Sequence, residues 1–133
     1  MSNCAIVGIN WGDEGKGRMV DYLTQQYDVV VRYQGGGNAG HTVINEKGKF
    51  ALHLLPSGIF RSGVMNILGN GVALDCENLL KEIDTVRQGG VDITPENLLV
   101  SERASLLLPW HRELDALEEQ RQKDKKYGST KQG

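Results

Sequence analysis

Residues 4–18 read CAIVGINWGDEGKGR, an apolar run followed by a glycine-rich loop and then by the start of a helix-like segment. This order is typical of α/β proteins that hold a phosphate at the N-terminus of a helix, where backbone N–H groups point toward the ligand. The stretch therefore favours an α/β fold with a ligand site where the first strand ends.

The loop differs from the common phosphate-binding loop, in which Gly and four further residues precede Gly-Lys-Ser/Thr. Asn10 stands where the first glycine is expected, and Gly17 stands where a hydroxyl would hold Mg²⁺. Lys16 supplies a positive charge for a phosphate, and Asp13 is the obvious oxygen ligand for a metal. A tight strand–helix turn with solvated carboxylates is the alternative interpretation, but the packed order Asp-Glu-Gly-Lys-Gly favours a functional loop.

The flanking patterns predict a strand, a helix and a second strand. Residues 4–9 form a short apolar run, residues 16–26 have helical periodicity, and residues 28–33 (DVVVRY) form another apolar run. Because both runs are continuously apolar rather than alternating, we expect two buried strands in a parallel sheet covered on both faces.

Further along, the expected elements are less regular. They are a hairpin at 42–55 (TVINEKGKFALHLL), a strand at 65–74 broken by Gly69 and Gly71, a helix at about 76–88 capped by Asp75 and ended by Gly89-Gly90, a strand at 98–101, and a helix from Pro109 to about Lys126. No internal repeat or domain boundary is visible, as expected for a single domain of 133 residues.

The composition excludes several classes of protein. A net charge of −2 and a pI near 5.9 predict neither a nucleic-acid nor a membrane partner. The N-terminus has no basic start or long apolar run, so a signal peptide is not expected. Cys4 and Cys76 match no metal or redox spacing and are predicted to be buried free thiols, which places the protein in a reducing cytoplasm.

A second glycine cluster, YQGGGNAGHT at 33–42, follows the second predicted strand. Gly35, Gly37 and Gly40 fit the dinucleotide fingerprint G-x-G-x-x-G, but residues 51–60 lack the acidic residue that should hold the ribose. A non-catalytic dinucleotide-binding module therefore remains the second hypothesis.

The two glycine loops should meet at the carboxyl edge of the predicted parallel sheet. Asn38, His41 and Thr42 could then face Asp13 and Lys16, which would bring a proton acceptor, a proton donor and a cation to a phosphate. His53 and His111 are interpreted as structural, while Arg32 is left open between a phosphate and a surface acid.

Four motifs together resemble the adenylosuccinate synthetase family: WGDEGKG at 11–17, RYQGGGNAGHT at 32–42, LHLLPSGI at 52–59 and GNGV at 69–72. Their order and spacing are also similar to the family pattern. The resemblance implies an α/β fold that is part of a large, mostly parallel sheet with flanking helices, similar to P-loop NTPases, and a homodimer. It also implies GTP- and Mg²⁺-dependent ligation of IMP and L-aspartate through 6-phosphoryl-IMP.

The resemblance further implies roles for individual residues. Asp13 would be the catalytic base and His41 the catalytic acid, with Asp13 and the carbonyl of Gly40 as Mg²⁺ ligands. The implied GTP-binding residues are Gly12, Asp13, Glu14, Gly15, Lys16, Gly17, Arg18, Gly40, His41 and Thr42. The implied IMP-binding residues are Asp13, Glu14, Gly15, Lys16, Asn38, Ala39, Gly40, His41 and Thr130.

The sequence departs from the family pattern at several places. Arg18 replaces the usual lysine, Gly37 replaces a larger polar residue, and GSTKQG at 128–133 replaces the usual GTTGRG. The family's guanine-reading and aspartate-binding segments are absent. We therefore expect residues 1–133 to be the N-terminal portion of a synthetase domain, cut in the loop at 128–133 and inactive by itself.

Overall fold

The computed structural model describes residues 3–9, 15–37 and 40–122. Its helices and strands, in chain order, are α1 (Lys16–Leu23), β1 (Val29–Gly35), β2 (His41–Asn45), β3 (Gly48–Leu52), β4 (Met65–Leu74), α2 (Cys76–Gln88), β5 (Leu98–Val100), β6 (Ser105–Leu106) and α3 (Pro109–Gln122). Short 3₁₀ helices occupy Thr24–Gln26 and Ser57–Phe60.

The main sheet is parallel, which confirms the predicted α/β class. β4 lies between β1 and β5, and β6 pairs with the far end of β4. β2 and β3 form a separate antiparallel hairpin in which His41 lies opposite Leu52. The carboxyl ends of β1 and β4 therefore meet at one edge of the sheet, where α/β proteins bind ligands.

β4 is one continuous strand, so the predicted break at Gly69 and Gly71 is wrong. The register against β1 shifts at this point, where Arg32 pairs with Leu68. A Cβ at Gly71 would lie 2.5 Å from the carbonyl oxygen of Tyr33, closer than atoms can approach. The glycine is there because the backbones nearly touch across this bulge, and not because the strand ends.

The helix α2 and the hairpin of β2 and β3, which depend on interactions between neighbouring residues, form where the sequence predicts them. α2 spans Cys76–Gln88, and the side chain of Asp75 accepts a hydrogen bond from the backbone N–H of Asn78 at 3.1 Å. Gly90 adopts a left-handed conformation with φ of 79° after the helix ends. The hairpin confirms its predicted alternation, because Phe50 and Leu52 are buried while Ala51 is exposed.

The predicted first strand is absent from the structure. Residues 3–9 form no strand, and the side chain of Ile9 is 94% exposed. β1 is also only partly covered, since Val29, Val31 and Tyr33 are about half exposed (48%, 50% and 51%). Apolar composition predicts that a strand is suited to burial, but burial also requires a second segment to cover it, and within the described residues this face of β1 is only about half covered.

Cys4 and Cys76 are exposed rather than buried, which corrects another prediction. Cys76 lies at the first position of α2, where the side chain faces solvent, and Cys4 lies in the segment that forms no strand. Both are free thiols, as expected. Among the described helices, none is long and apolar enough to cross a membrane.

The hydrophobic core joins the hairpin, the segment after it, β4 and α2. Its most deeply buried apolar side chains, each at most 2% exposed, are Leu52, Leu54, Leu55, Ile59, Leu68, Val72 and Val86. Burying one such side chain stabilises the fold by about 1.5–3 kcal/mol. The core thereby fixes the segment that follows β3, and this segment borders the candidate site.

Candidate functional site

A cleft of about 480 Å³ opens at the carboxyl ends of β1 and β4. Its lining includes backbone from the second glycine cluster and polar side chains from the segment after β3, from the N-cap and body of α2, and from α3. The lining residues used below are Gly36, Gly37, His53, Asp75, Glu82 and Arg112. Arg112 on α3 forms an ion pair with the Asp75 carboxylate, so the cap of α2 also holds α3 beside this edge.

His41 lies directly against the first turn of α1. A Cβ built on Gly17 would lie 2.7 Å from Cβ and 2.8 Å from Cγ of His41. A serine or threonine, as in the common phosphate-binding loop, therefore cannot occupy position 17 unless His41 moves. This contact confirms that the start of α1 and the second glycine cluster come together, and it gives a steric reason for the missing hydroxyl.

The His41 imidazole is half-buried, and its Nε2 has no hydrogen-bond partner in the part of the chain that the structure describes. Burial lowers the pKa of His41, and the charges of Arg32 and His53 lower it further, whereas the carboxylates of Glu82 and Asp21 oppose the shift. The ring is therefore neutral at neutral pH without a ligand. A buried polar atom without a partner is costly, so Nε2 is suited to a ligand's hydrogen bond.

Gly40 lies against the ring of His53. A Cβ on Gly40 would lie 2.8 Å from Cε1 and 3.0 Å from Nδ1 of that imidazole, so a side chain at position 40 would displace the ring. The interpretation of His53 as structural stays a prediction, and the structure adds that its ring packs against Gly40, whose carbonyl is a predicted Mg²⁺ ligand. His111 does have a structural role: its Nδ1 accepts a hydrogen bond from the backbone N–H of Leu108 at 3.0 Å, just before α3.

Arg32 binds backbone carbonyl groups rather than a surface acid. Its guanidinium donates to Gly36 O at 2.5 Å, to Leu54 O at 3.3 Å and to His53 O. Burial lowers the pKa of Arg32, and the negative charge of Glu82 partly offsets that effect. Arginine stays charged under such shifts, so the side chain is a fixed cation beside the cleft.

Sequence reasoning missed Glu82, although a signal was available. Glu82 lies on the buried stripe of α2 with Leu79 and Val86, three residues after the first and four before the second. A carboxylate on an apolar helix face needs hydrogen-bond partners to be buried. In the structure its two oxygens accept from the backbone N–H groups of His53, Leu54 and Leu55 at 3.0–3.1 Å.

The structure places several of the predicted site residues and leaves others outside. Gly15, with φ of 79°, immediately precedes α1, and Lys16, Gly17 and Arg18 form its first turn. Gly40 immediately precedes β2, and His41 and Thr42 are the first two residues of that strand. The predicted residues Gly12, Asp13, Glu14, Asn38, Ala39 and Thr130 lie outside the described residues, so their roles stay predictions.

The dinucleotide fingerprint lacks its structural context here. The motif requires a glycine loop that opens a helix, whereas Gly40 leads into β2. Gly40 is needed for contact with His53, and a Cβ at Gly37 would meet no described atom within 4 Å. The three glycines therefore lie between the last residue of β1 and the start of β2 and do not open a helix, so the hypothesis of a dinucleotide-binding module loses its main support.

The substitution Gly17→Ala tests the contact with His41. The added methyl group should force His41 or α1 to move and lower the free energy of unfolding by about 1–3 kcal/mol, the usual cost of overpacking. Urea denaturation would measure this change, and the histidine resonances in NMR spectra would report the displacement. Gly37→Ala is the matched control and should change stability by less than about 0.5 kcal/mol. Equal stability of both variants would contradict the proposed steric contact.

Fold and site together define an α/β protein in which His41 lies against the first turn of α1 and the second glycine cluster begins at the carboxyl end of β1 in a parallel sheet. The family model described as adenylosuccinate synthetase matches residues 5–133. The chain belongs to the adenylosuccinate synthetase family.

Individual relatives agree with this assignment. The adenylosuccinate synthetases of Clostridium acetobutylicum and Clostridium kluyveri are each 50% identical to the chain over all 133 residues. The chain spans 31% of the length of these relatives.

Solved structures show the same similarity. A fully ligated adenylosuccinate synthetase from Plasmodium falciparum matches 93% of this chain and 29% of its own, with a TM-score of 0.81 and 36% identity. Succinoaminodeoxyadenylate synthetase from cyanophage S-2L, bound to dGMP and to dATP as an energy donor, matches 80% of this chain and 30% of its own. That match has a TM-score of 0.63 and 30% identity.

Proposed function

We propose that this chain provides the phosphate-binding and proton-transfer part of an enzyme that ligates IMP and L-aspartate to adenylosuccinate, using GTP. The observation that carries the proposal is the position of His41. Its Nε2 is buried without a partner among the described residues, and its ring lies against Gly17 at the N-terminus of α1. This arrangement supports an ionisable donor beside a phosphate held at a helix start.

In the proposed first step, Asp13 removes the proton from N1 of IMP, and the 6-oxygen attacks the γ-phosphorus of GTP. The bond between that phosphorus and the β–γ bridging oxygen breaks, which releases GDP and leaves 6-phosphoryl-IMP. The amino group of aspartate then attacks C6, and the phosphate leaves with the 6-oxygen. The protein's task in such a phosphoryl transfer is mainly to position the groups and stabilise charge.

The described residues support the electrostatic part of this mechanism. In the unliganded chain His41 is neutral, because burial and neighbouring cations lower its pKa. An anionic phosphate beside the ring would favour its protonated form, so His41 would become an acid only when the nucleotide is bound. Lys16 and the N–H groups at the start of α1 supply further positive charge.

We propose that a Mg²⁺ ion binds this site together with the nucleotide. The described residues contain no group of three or more His, Cys, Asp or Glu side chains that could hold a metal. Mg²⁺ commonly uses one or two protein oxygens together with substrate phosphates, and Asp13 with the Gly40 carbonyl would provide those oxygens. Bound there, the ion would neutralise charge on the phosphates during transfer.

The ligands of the cyanophage relative favour the same division of substrates. That enzyme binds a purine nucleoside monophosphate together with a nucleoside triphosphate as the energy donor. We infer a monophosphate acceptor and a triphosphate donor here as well, with IMP and GTP as the pair that family membership favours. We also propose a homodimeric full-length enzyme in the cytoplasm, where exposed free thiols such as Cys4 and Cys76 stay reduced.

A hybrid synthetase tests the proposed function. In it, residues 1–133 replace the 133 aligned residues of the Clostridium acetobutylicum relative. We expect adenylosuccinate to form only when IMP, L-aspartate and GTP are all present, while the isolated chain is inactive because it spans 31% of such an enzyme. Chromatography of the products with GTP, ATP or dATP as the donor would measure activity and donor choice.

Two controls make this experiment decisive. The unaltered Clostridium acetobutylicum enzyme shows that the assay works, and calorimetry of the isolated chain with NAD, GTP and IMP tests the dinucleotide hypothesis. An inactive but folded hybrid would overturn the proposed function. Tight binding of NAD alone would favour the dinucleotide-binding module instead.

A further inference from the structure

The turn formed by residues 53–55 is held from both sides by two buried or half-buried charged side chains. Glu82, only 8% exposed, accepts from the backbone N–H groups of all three residues. Arg32 donates to the carbonyl oxygens of His53 and Leu54. The negative side chain therefore binds the donors of the turn, and the positive side chain binds its acceptors.

This pair, called here the Arg32–Glu82 clamp, joins elements that are far apart in the sequence. Arg32 lies on β1 and Glu82 on α2, and the turn follows β3. Arg32 also donates to Gly36 O at 2.5 Å, so the same guanidinium holds the second glycine cluster. One set of hydrogen bonds thus fixes the loop after β1 relative to the turn after β3.

The turn at 53–55 and the residue before it contact Gly40 and His41, which are predicted to bind phosphate. The His53 ring packs so closely on Gly40 that a Cβ there would lie 2.8 Å from Cε1. The residue before the turn, Leu52, pairs with His41 across the hairpin. Gly40 and His41 are therefore both attached to the turn, one through a side-chain contact and the other through strand pairing.

We propose that Arg32 and Glu82 are positioning residues, which fix the turn at 53–55 and thereby hold Gly40 and His41 in the geometry that the phosphates require. This inference rests on the proposed function, in which those two residues contact the nucleotide. Neither clamp residue needs to touch the substrate. Outer-shell partners of this kind typically change activity by about 10–100-fold when they are altered.

A purely structural role for the clamp makes a different prediction. Loss of its hydrogen bonds would then lower the stability of the whole chain without moving Gly40 and His41 in the folded molecules. Val86→Ala is the matched control, because Val86 is fully buried on the same helix, one turn after Glu82, and its aliphatic side chain cannot hydrogen-bond the turn. It should destabilise the fold through a small cavity and leave the site unchanged.

The first experiment uses NMR spectra of the isolated 133-residue chain. Glu82→Gln keeps the size of the side chain but points an N–H₂ group at backbone N–H donors. We expect the amide resonances of Gly40 and His41 to shift, together with those of residues 53–55, and the Gly40–His53 contact to weaken. Val86→Ala should leave these signals in place. Shifts confined to residues 53–55 in Glu82→Gln would overturn the proposal.

His53→Ala supplies a test that does not depend on the stability of the clamp. The His53 side chain is exposed, and the hydrogen bonds of the clamp use only its backbone, so the variant should fold normally. We expect the Gly40 amide resonance to move in this variant. Unchanged Gly40 and His41 signals would count against the proposal even if Glu82→Gln failed to fold.

The second experiment measures kinetics in the hybrid synthetase. Glu82→Gln and Arg32→Lys should each lower kcat by about 10–100-fold, with KM for L-aspartate changed by less than about threefold. Val86→Ala should retain the kcat of the unsubstituted hybrid. A kcat equal to that of Val86→Ala would overturn the positioning role. An unsubstituted hybrid without activity would instead refute the proposed function, while the NMR result would still stand.

Discussion

Asp13→Asn is expected to abolish detectable turnover in the hybrid synthetase, with kcat reduced by about 10⁴-fold, the upper range for general acid–base catalysis. Asparagine cannot accept the proton from N1 of IMP, and it lacks the negative charge that would bind Mg²⁺. Single-turnover and steady-state assays of adenylosuccinate formation would measure the loss. Circular dichroism should show an unchanged fold.

Asp92→Asn is the matched control for this substitution, because Asp92 is an exposed aspartate outside the proposed site. It should retain the activity of the unsubstituted hybrid. Near-normal turnover in Asp13→Asn would show that another group removes the proton, and the role of Asp13 would then be withdrawn. Reduced turnover in both variants would point to a general effect of lost surface charge.

His41→Asn is expected to lower kcat by about 10²–10⁴-fold while changing KM for GTP only slightly. The proposed contribution of His41 grows as the γ-phosphate leaves, so its loss should affect the transition state more than the bound ground state. Initial rates at varied GTP concentrations would separate the two effects. The substitution should also keep the close contact with Gly17, because asparagine has a Cβ and a Cγ like those of His41 that lie nearest to this glycine.

His111→Asn provides the comparison for His41→Asn. The ring of His111 accepts a backbone hydrogen bond at the start of α3, a role that asparagine can also perform. Its kcat should equal that of the unsubstituted hybrid. A rise in KM for GTP with constant kcat in His41→Asn would contradict the assigned role, because it would mean that His41 contributes to ground-state binding alone.

The elements that the sequence predicted well are those specified by neighbouring residues. Asp75 caps α2, Gly90 follows its end, and the hairpin turns just before Gly48. Each of these features depends on hydrogen bonds or dihedral preferences within a few residues, so the local sequence contains the information. The predicted break in β4 is wrong, because Gly71 is required by the close approach of a carbonyl oxygen of β1, a contact that the local sequence does not show.

The predicted burial of the first segments failed for a related reason. The apolar character of residues 4–9 and of β1 indicates what these segments can pack against, but burial requires a partner surface. Within the described residues one face of β1 remains about half exposed, and residues 3–9 form no strand. An apolar pattern indicates that a segment can be buried, but the arrangement of the other segments decides whether it is buried.

By itself, the sequence determined the α/β class, the family, and the residues expected at the phosphates, because glycines, Lys16 and His41 occur in long and specific motifs. The tertiary structure decided which of those residues lie in contact. Gly17 is small because His41 occupies the space beside it, and Gly40 is small because of the His53 ring. Glu82 and Arg32 hold the turn between them through backbone groups, and such contacts leave no motif in the sequence because every residue except proline supplies both an N–H and a C=O group.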